Sequence, residues 1–133
     1  MQNSATRVET RQGTLTGVVD EDVYRWSGIP YAAPPVGPLR WRAPQPVSPW
    51  QGVRQADTFS AASWQSAEYC QELGGGDPGR FSEDCLYLNV WSPAKRQRPL
   101  PVMGWLHGGG CTIGAGALPP YDGKALARRD VIV

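Results

Sequence analysis

Apolar and polar positions along this chain mark short extended runs more than helices. Residues 8–12 and 14–19 are β-prone stretches parted by Gly13, Asp20-Glu21-Asp22 reads as a turn, and residues 23–26 make a third run. A small β meander is expected. The segment Gly28-Ile29-Pro30-Tyr31-Ala32-Ala33-Pro34-Pro35-Val36-Gly37 is excluded from helix, because each proline removes a donor and pushes the residue before it toward extended dihedrals. Residues 50–56 form a second extended connection, and residues 59–69, where Phe59, Ala62 and Trp64 cluster, suit a helix. Residues 86–91 are apolar on both faces except at Asn89, the pattern of an interior strand, and Ser92-Pro93 ends it. A charged turn over 94–98 leads to a second apolar run at 102–106, so these two strands are expected to pair antiparallel. Asp122 is placed to cap a short helix over 124–129, and residues 131–133 begin a further buried strand.

Composition narrows the classes of partner. The chain has 133 residues, enough for one domain, and no internal repeat or low-complexity linker divides it. Thirteen basic against twelve acidic side chains leave no basic block for nucleic acid or anionic lipid. No run reaches the length of a membrane span, and the polar start MQNSATRVETRQG lacks the apolar stretch of a signal peptide, so the sequence reads as cytoplasmic. Six tryptophans are many for this length; Trp41 and Trp50, each beside prolines, are expected to anchor irregular backbone onto a sheet. Cys70 and Cys85 bracket a glycine-rich loop. A disulfide there would add about 3 kcal/mol by restricting the unfolded chain, whereas a reducing compartment would leave both thiols free. With one histidine and no CxxC spacing, a zinc site is not expected, nor is any other cofactor.

The candidate chemistry sits in residues 101–116, PVMGWLHGGGCTIGAG. An apolar run stops at His107, and Gly108, Gly109 and Gly110 let the backbone adopt dihedrals closed to other residues, with no Cβ between a ligand and the main-chain N–H groups. Such donors aimed at an oxygen that gains charge during acyl transfer stabilise the transition state by about 3 to 4 kcal/mol each. The plainer alternative is a tight glycine turn after a strand. Phosphate cradling fails on pattern, since neither GxxxxGK[ST] nor GxGxxG is present. A thiol nucleophile at Cys111 with His107 as its base would need a helix between them, which three glycines disfavour.

Several blocks together resemble the type-B carboxylesterase and cholinesterase family of α/β-hydrolases. They are Gly28-Ile29-Pro30-Tyr31-Ala32, Pro34-Pro35-Val36-Gly37 with Leu39-Arg40-Trp41, the run Ser82-Glu83-Asp84-Cys85-Leu86-Tyr87-Leu88-Asn89-Val90-Trp91, His107-Gly108-Gly109-Gly110, and Tyr121-Asp122-Gly123. The resemblance implies an α/β fold in which residues 1–133 are the N-terminal part of a single α/β-hydrolase domain: a β meander and the first strands of the mixed central sheet, ending before the nucleophile elbow. It implies ester hydrolysis by a Ser, His and Glu/Asp triad, with Gly109 and Gly110 as oxyanion donors, Gly108, Cys111 and Tyr121 beside the substrate, and His107 supporting the loop. It also implies a buried Arg40–Glu83 ion pair and a Cys70–Cys85 disulfide.

Where this chain departs from the family pattern, the expectation changes. No serine here lies in a GxSxG elbow, so the nucleophile, acid and base would follow residue 133 and the chain alone would be inactive. Cys111 stands where the family usually has an aromatic residue, leaving more room beside the donors. The loop between Cys70 and Cys85 lacks the tryptophan that binds choline in cholinesterases, which favours a general esterase. The alternative is a catalytically silent relative that uses the fold for protein contacts. With strands missing, an unpaired apolar edge at 131–133 is expected to make the isolated chain associate.

Overall fold

A computed structural model describes residues 4–133. The expected meander forms, but Gly17 splits it between two sheets. Strand β1 (Arg7–Glu9) pairs antiparallel with β2 (Thr14–Thr16), and β5 (Val53–Gln55) lies parallel on the other edge of β2. Beyond Gly17 the chain enters a second sheet, ordered β3 (Val18–Asp20), β4 (Val23–Pro30) and β6 (Tyr87–Pro93), all antiparallel. A Cβ at Gly17 would stand 2.3 Å from the Arg25 carbonyl oxygen, so only glycine lets the chain cross there. The two sheets are joined by backbone bonds from Ser27 N–H to Ala56 O and from Ala56 N–H to Thr16 O, over a core of Leu15, Trp26 and Ala56.

Strand β4 is bulged between Trp26 and Ile29, where Gly28 takes φ +68° and donates its N–H to the Asn89 side chain on β6 at 3.0 Å. The lone polar position of that apolar strand therefore satisfies the backbone group that the bulge releases. After Pro30 the proline segment is irregular as expected, with a single 3-10 turn at Gly37–Leu39. Trp50 is an anchor: its ring packs over Gly13 and its indole N–H donates to Thr14 O at 2.9 Å. Trp41 is not, being 98% exposed in a left-handed backbone conformation.

Helix α1 (Ala67–Glu72) starts later than the periodicity suggested, because Ser66 caps it by accepting the Tyr69 N–H. Ala62 instead forms an extended bridge with Phe81. Helix α2 (Lys124–Ala127) lies within the expected span, and Asp122 Oδ1 accepts the Lys124 N–H at 2.7 Å. Its Ala127 packs with Val23 and Trp91 in a core cluster closed by Phe59 and Val133.

The expected antiparallel pair of 86–91 with 102–106 does not form. Residues 131–133 lie between them: Val133 exchanges both backbone bonds with Trp91, while Ile132 pairs parallel with Val102 through bonds to Pro101 and Met103. The reason is topological. A parallel neighbour needs a crossover of a dozen or more residues, and the stretch carrying the glycine loop and α2 supplies it. Residues 131–133 are thus paired on both sides and half-buried, not an open edge. Nor is 102–106 a buried strand; Val102, Trp105 and Leu106 are 75%, 61% and 94% exposed, with Tyr121 against one side of Trp105.

Candidate functional site

Beyond Leu106 the chain folds into a loop whose shape is set at glycine. Gly109, Gly110 and Cys111 all have positive φ, at 125°, 59° and 59°. The Gly109 carbonyl accepts three hydrogen bonds, from the N–H groups of Thr112 and Ile113 at 3.0 and 3.2 Å and from Thr112 Oγ1 at 2.9 Å. A Cβ at Gly109 would meet Ile113 O at 2.0 Å, so this turn closes only over glycine. The Gly108 carbonyl is also held, by His107 Nδ1 at 2.8 Å. Because a carbonyl can only accept, Nδ1 carries the proton in that contact.

These two engaged carbonyls decide where the donors go. In a trans peptide the C=O and the following N–H point in opposite directions, and no peptide here is cis. With the carbonyls of Gly108 and Gly109 engaged by the loop itself, the N–H groups of Gly109 and Gly110 are turned away from it. Among the described residues no acceptor takes either N–H, nor that of Cys111. Free donors of this kind are able to bind an anionic oxygen.

The loop rests on aromatic and polar supports. The His107 ring stacks on Tyr121 at 5.8 Å and 16°, and Trp105 meets the same ring at 6.2 Å. Tyr121 in turn packs, with Ile113 and Phe81, on the buried cluster Ala62, Cys70, Ala115 and Leu118. At the far end Gly114, with φ 115°, passes so close to the His107 ring that a Cβ would lie 2.5 Å from Nδ1. Gln65 holds this glycine by both backbone groups: its Nε2 donates to Gly114 O at 2.8 Å, and its Oε1 accepts the Gly114 N–H at 2.7 Å. Asn89 Nδ2 donates to Gly116 O at 3.1 Å, so the residue that satisfies the β4 bulge also ties down the end of the loop.

The structure thus brings His107, Gly108, Gly109, Gly110, Cys111 and Tyr121 together. Cys111 is exposed, and the left-handed run at 110–111 is not helical, which removes the one-turn relation with His107 that a thiol nucleophile would need. Arg40 Nε and Glu83 Oε1 pair at 2.6 Å, but their side chains are 59% and 37% exposed, so the pair forms without being buried. Cys70 and Cys85 are unbonded thiols. Cys70 is buried against Gly75, while Cys85 is half-buried and its thiol is pushed up by burial and then by Asp84 and Glu83. A polar cavity of about 320 Å³ lies apart from the loop, lined by Arg80, Ser82, Asp84 and Tyr87 among others, with Tyr87 OH donating to Asp84 Oδ2 at 2.9 Å.

Gln65 carries no local signal, because the contact that gives it a role lies 49 residues along the chain. Asn89 did leave a signal, as the one polar residue in an interior strand. Among the described residues, no helix is long and apolar enough to cross a membrane.

Compared with known proteins, the chain matches the model of the Carboxylesterase family over residues 4–133. It is 48% identical over 125 residues to the fumonisin B1 esterase of Sphingopyxis macrogoltabida, covering 93% of this chain and 22% of that protein. It is 40% identical over 126 residues to the para-nitrobenzyl esterase of Bacillus subtilis (strain 168), covering 95% of this chain and 26% of that one. A solved PNB esterase structure superposes with a TM-score of 0.90 at 41% identity, over 98% of this chain and 27% of its own. The chain therefore spans about a quarter of the length of the relatives it matches.

Proposed function

The chain belongs to the carboxylesterase family, type B, and on that premise we propose that it is the oxyanion-binding portion of a serine carboxylesterase. Its fold is the N-terminal portion of an α/β-hydrolase. In the proposed reaction a serine hydroxyl, supplied from outside these 133 residues and deprotonated by a histidine, attacks the carbonyl carbon of a carboxylic ester. The C=O pair moves onto oxygen, and the N–H groups of Gly109 and Gly110 receive the new charge. On collapse of the tetrahedral centre the histidine passes its proton to the leaving oxygen, which departs as the alcohol, and water then releases the acid from the acyl-enzyme by the same sequence.

The remaining loop residues have supporting parts in this reading. His107 holds the Gly108 carbonyl and stacks on Tyr121, which keeps the two donors turned outward and leaves its Nδ1 proton engaged. Gly108 and Cys111 flank the donors. Tyr121 carries the histidine and so reaches the substrate side only through the loop it supports. Arg40 and Glu83 are structural.

The observation that carries the reading is the pair of adjacent peptide planes with bound carbonyls and unclaimed N–H groups at Gly109 and Gly110. The test is turnover of a short-chain p-nitrophenyl ester by the complete gene product, with an organophosphonate to trap its serine. Hydrolysis lost on trapping is expected, and the 133-residue chain alone is expected to give none. A gene product that folds, binds the ester and releases no acid would replace the enzyme with a silent binding relative.

A further inference from the structure

We infer that Gln65 is a positioning residue for the glycine loop: its carboxamide clamps Gly114 and through it fixes the direction of the Gly109 and Gly110 N–H groups. This inference rests on the oxyanion reading for its consequence, though not for its geometry.

A carboxamide presents a donor and an acceptor in one plane, as a neighbouring strand's peptide would. Gln65 uses both on the same residue, at 2.8 and 2.7 Å, across a sequence separation of 49. The Gly114 N–H requires an oxygen opposite it, which fixes the orientation of the amide. Gln65 is itself held, since Nε2 also donates to Ser63 O at 3.1 Å, and the adjacent Ser66 caps α1. The clamp therefore links the loop to a segment anchored by helix α1 and by the Ala62 bridge to Phe81.

From Gly114 the constraint passes inward in short steps. Ile113 donates its N–H to Gly109 O, and Gly114 lies against the His107 ring and the Gly108 carbonyl. Those two carbonyls set the direction of the two free donors. The loop's other ties lie at its two ends: the His107 ring stacks on Tyr121, Ile113 and Ala115 sit on the buried cluster, and Asn89 holds Gly116. Releasing Gly114 would leave the 107–113 turn closed on itself but free to tilt. The nearest substitutes each lose part of the clamp. Glu has the shape but offers no donor when ionised, Met has the length but neither group, and Asn is one methylene short.

The experiment compares Gln65→Glu and Gln65→Met with the wild type in the complete gene product. Hydrogen–deuterium exchange resolved across residues 107–116 is expected to show the Gly114 amide exchanging about tenfold faster in Gln65→Met, the worth of one lost hydrogen bond, and less so in Gln65→Glu, whose carboxylate still accepts that N–H but repels the Gly114 carbonyl. Amides of the β4–β6 pair are expected to be unchanged. Ester turnover is expected to lose about ten- to a hundredfold in kcat with little change in KM, because the donors act on the transition state. Unchanged exchange at Gly114 in Gln65→Met, or faster exchange there with unaltered kcat, would overturn the inference; so would a loss matched by equal loss of folded protein, which marks Gln65 as structural only. If the wild type itself has no turnover the esterase reading fails, and the exchange measurement alone then decides whether Gln65 clamps the loop.

Discussion

The corner where α2 meets the β3–β4 turn and the glycine loop at residues 107–116 are built on opposite plans. The corner is closed from every side. Val23, Trp91 and Ala127 are buried together, Gly123 approaches the Trp91 ring so closely that a Cβ would lie 2.8 Å away, and residues 131–133 are hydrogen-bonded on both edges. The loop is anchored at its far end, by two side-chain amides and by Ile113 and Ala115 on the buried cluster, and at its start by one aromatic stack, while next to it Trp105 and Leu106 are largely exposed. A region that spends its backbone donors on itself has none left for a ligand. The loop keeps the Gly109 and Gly110 donors because its own His107, Thr112 and Ile113 hold the adjacent carbonyls, while Gln65 and Asn89 hold its far end.

The comparison is sharpest where it is broken hardest. Trp91→Ala should destabilise the protein by about 3 to 5 kcal/mol, the usual range for emptying a buried aromatic site, with a lower denaturation midpoint as the readout. Trp91→Phe should cost much less, about 1 kcal/mol or below, because the Trp91 indole N–H is buried without an acceptor among the described residues and its removal offsets part of the lost area. Equal losses for the two variants would mean that the orphan donor has no cost.

On the loop the same kind of pair should act on rate and hardly on stability. Gly109→Ala places a methyl 2.0 Å from Ile113 O, so the turn must open and the donors move; kcat should fall about 10²- to 10³-fold in the complete gene product, the effect of losing an oxyanion donor. Gly110→Ala meets nothing nearer than Thr112 Oγ1 at 3.9 Å and strains only one left-handed residue, at about 1 kcal/mol, so kcat should stay within a few-fold. The reverse order would place the chemistry elsewhere. Leu106→Lys probes the neighbouring surface. If the exposed Val102, Trp105 and Leu106 drive association of the isolated chain, this one charge should lower its light scattering at equal concentration.

How much of this was legible beforehand follows from the range of each interaction. The Asp20-Glu21-Asp22 turn, the bar on helix after Gly28 and the Asp122 cap are written in neighbouring residues, and each formed. The apolar run at 102–106 misled because hydrophobicity records that a segment is to be covered, not whether the covering residues lie in the same chain. The antiparallel pairing failed because strand order depends on the crossover through α2, which no local pattern encodes. At the site the glycines announced themselves, whereas Gln65 works through a contact 49 residues away and carries no local mark.

Distance along the chain also hid the ties that close the corner, and these should give the smallest effect. Lys124 and Arg128, one helical turn apart, reach back to the acidic turn: Lys124 Nζ pairs with Asp20 at 2.6 Å and Glu21 at 3.0 Å, and Arg128 pairs with Asp22 at 2.8 Å and with Glu21. Lys124 and then Arg128 hold the Glu21 carboxyl below its ordinary range, and Arg128 does the same for Asp22. A carboxylate whose folded pKa is depressed adds stability above its unfolded pKa and loses it as pH falls through the folded one. The corner should therefore loosen on acidification, from the ordinary carboxylate range downward, while the loop, held by neutral amides and a stack, should not follow the same curve. Because these charges are solvated, salt should screen them, so Glu21→Gln should lower the melting temperature slightly at low salt and not at high salt. A loss independent of salt would mean that Glu21 acts through its left-handed turn geometry, not through its charge.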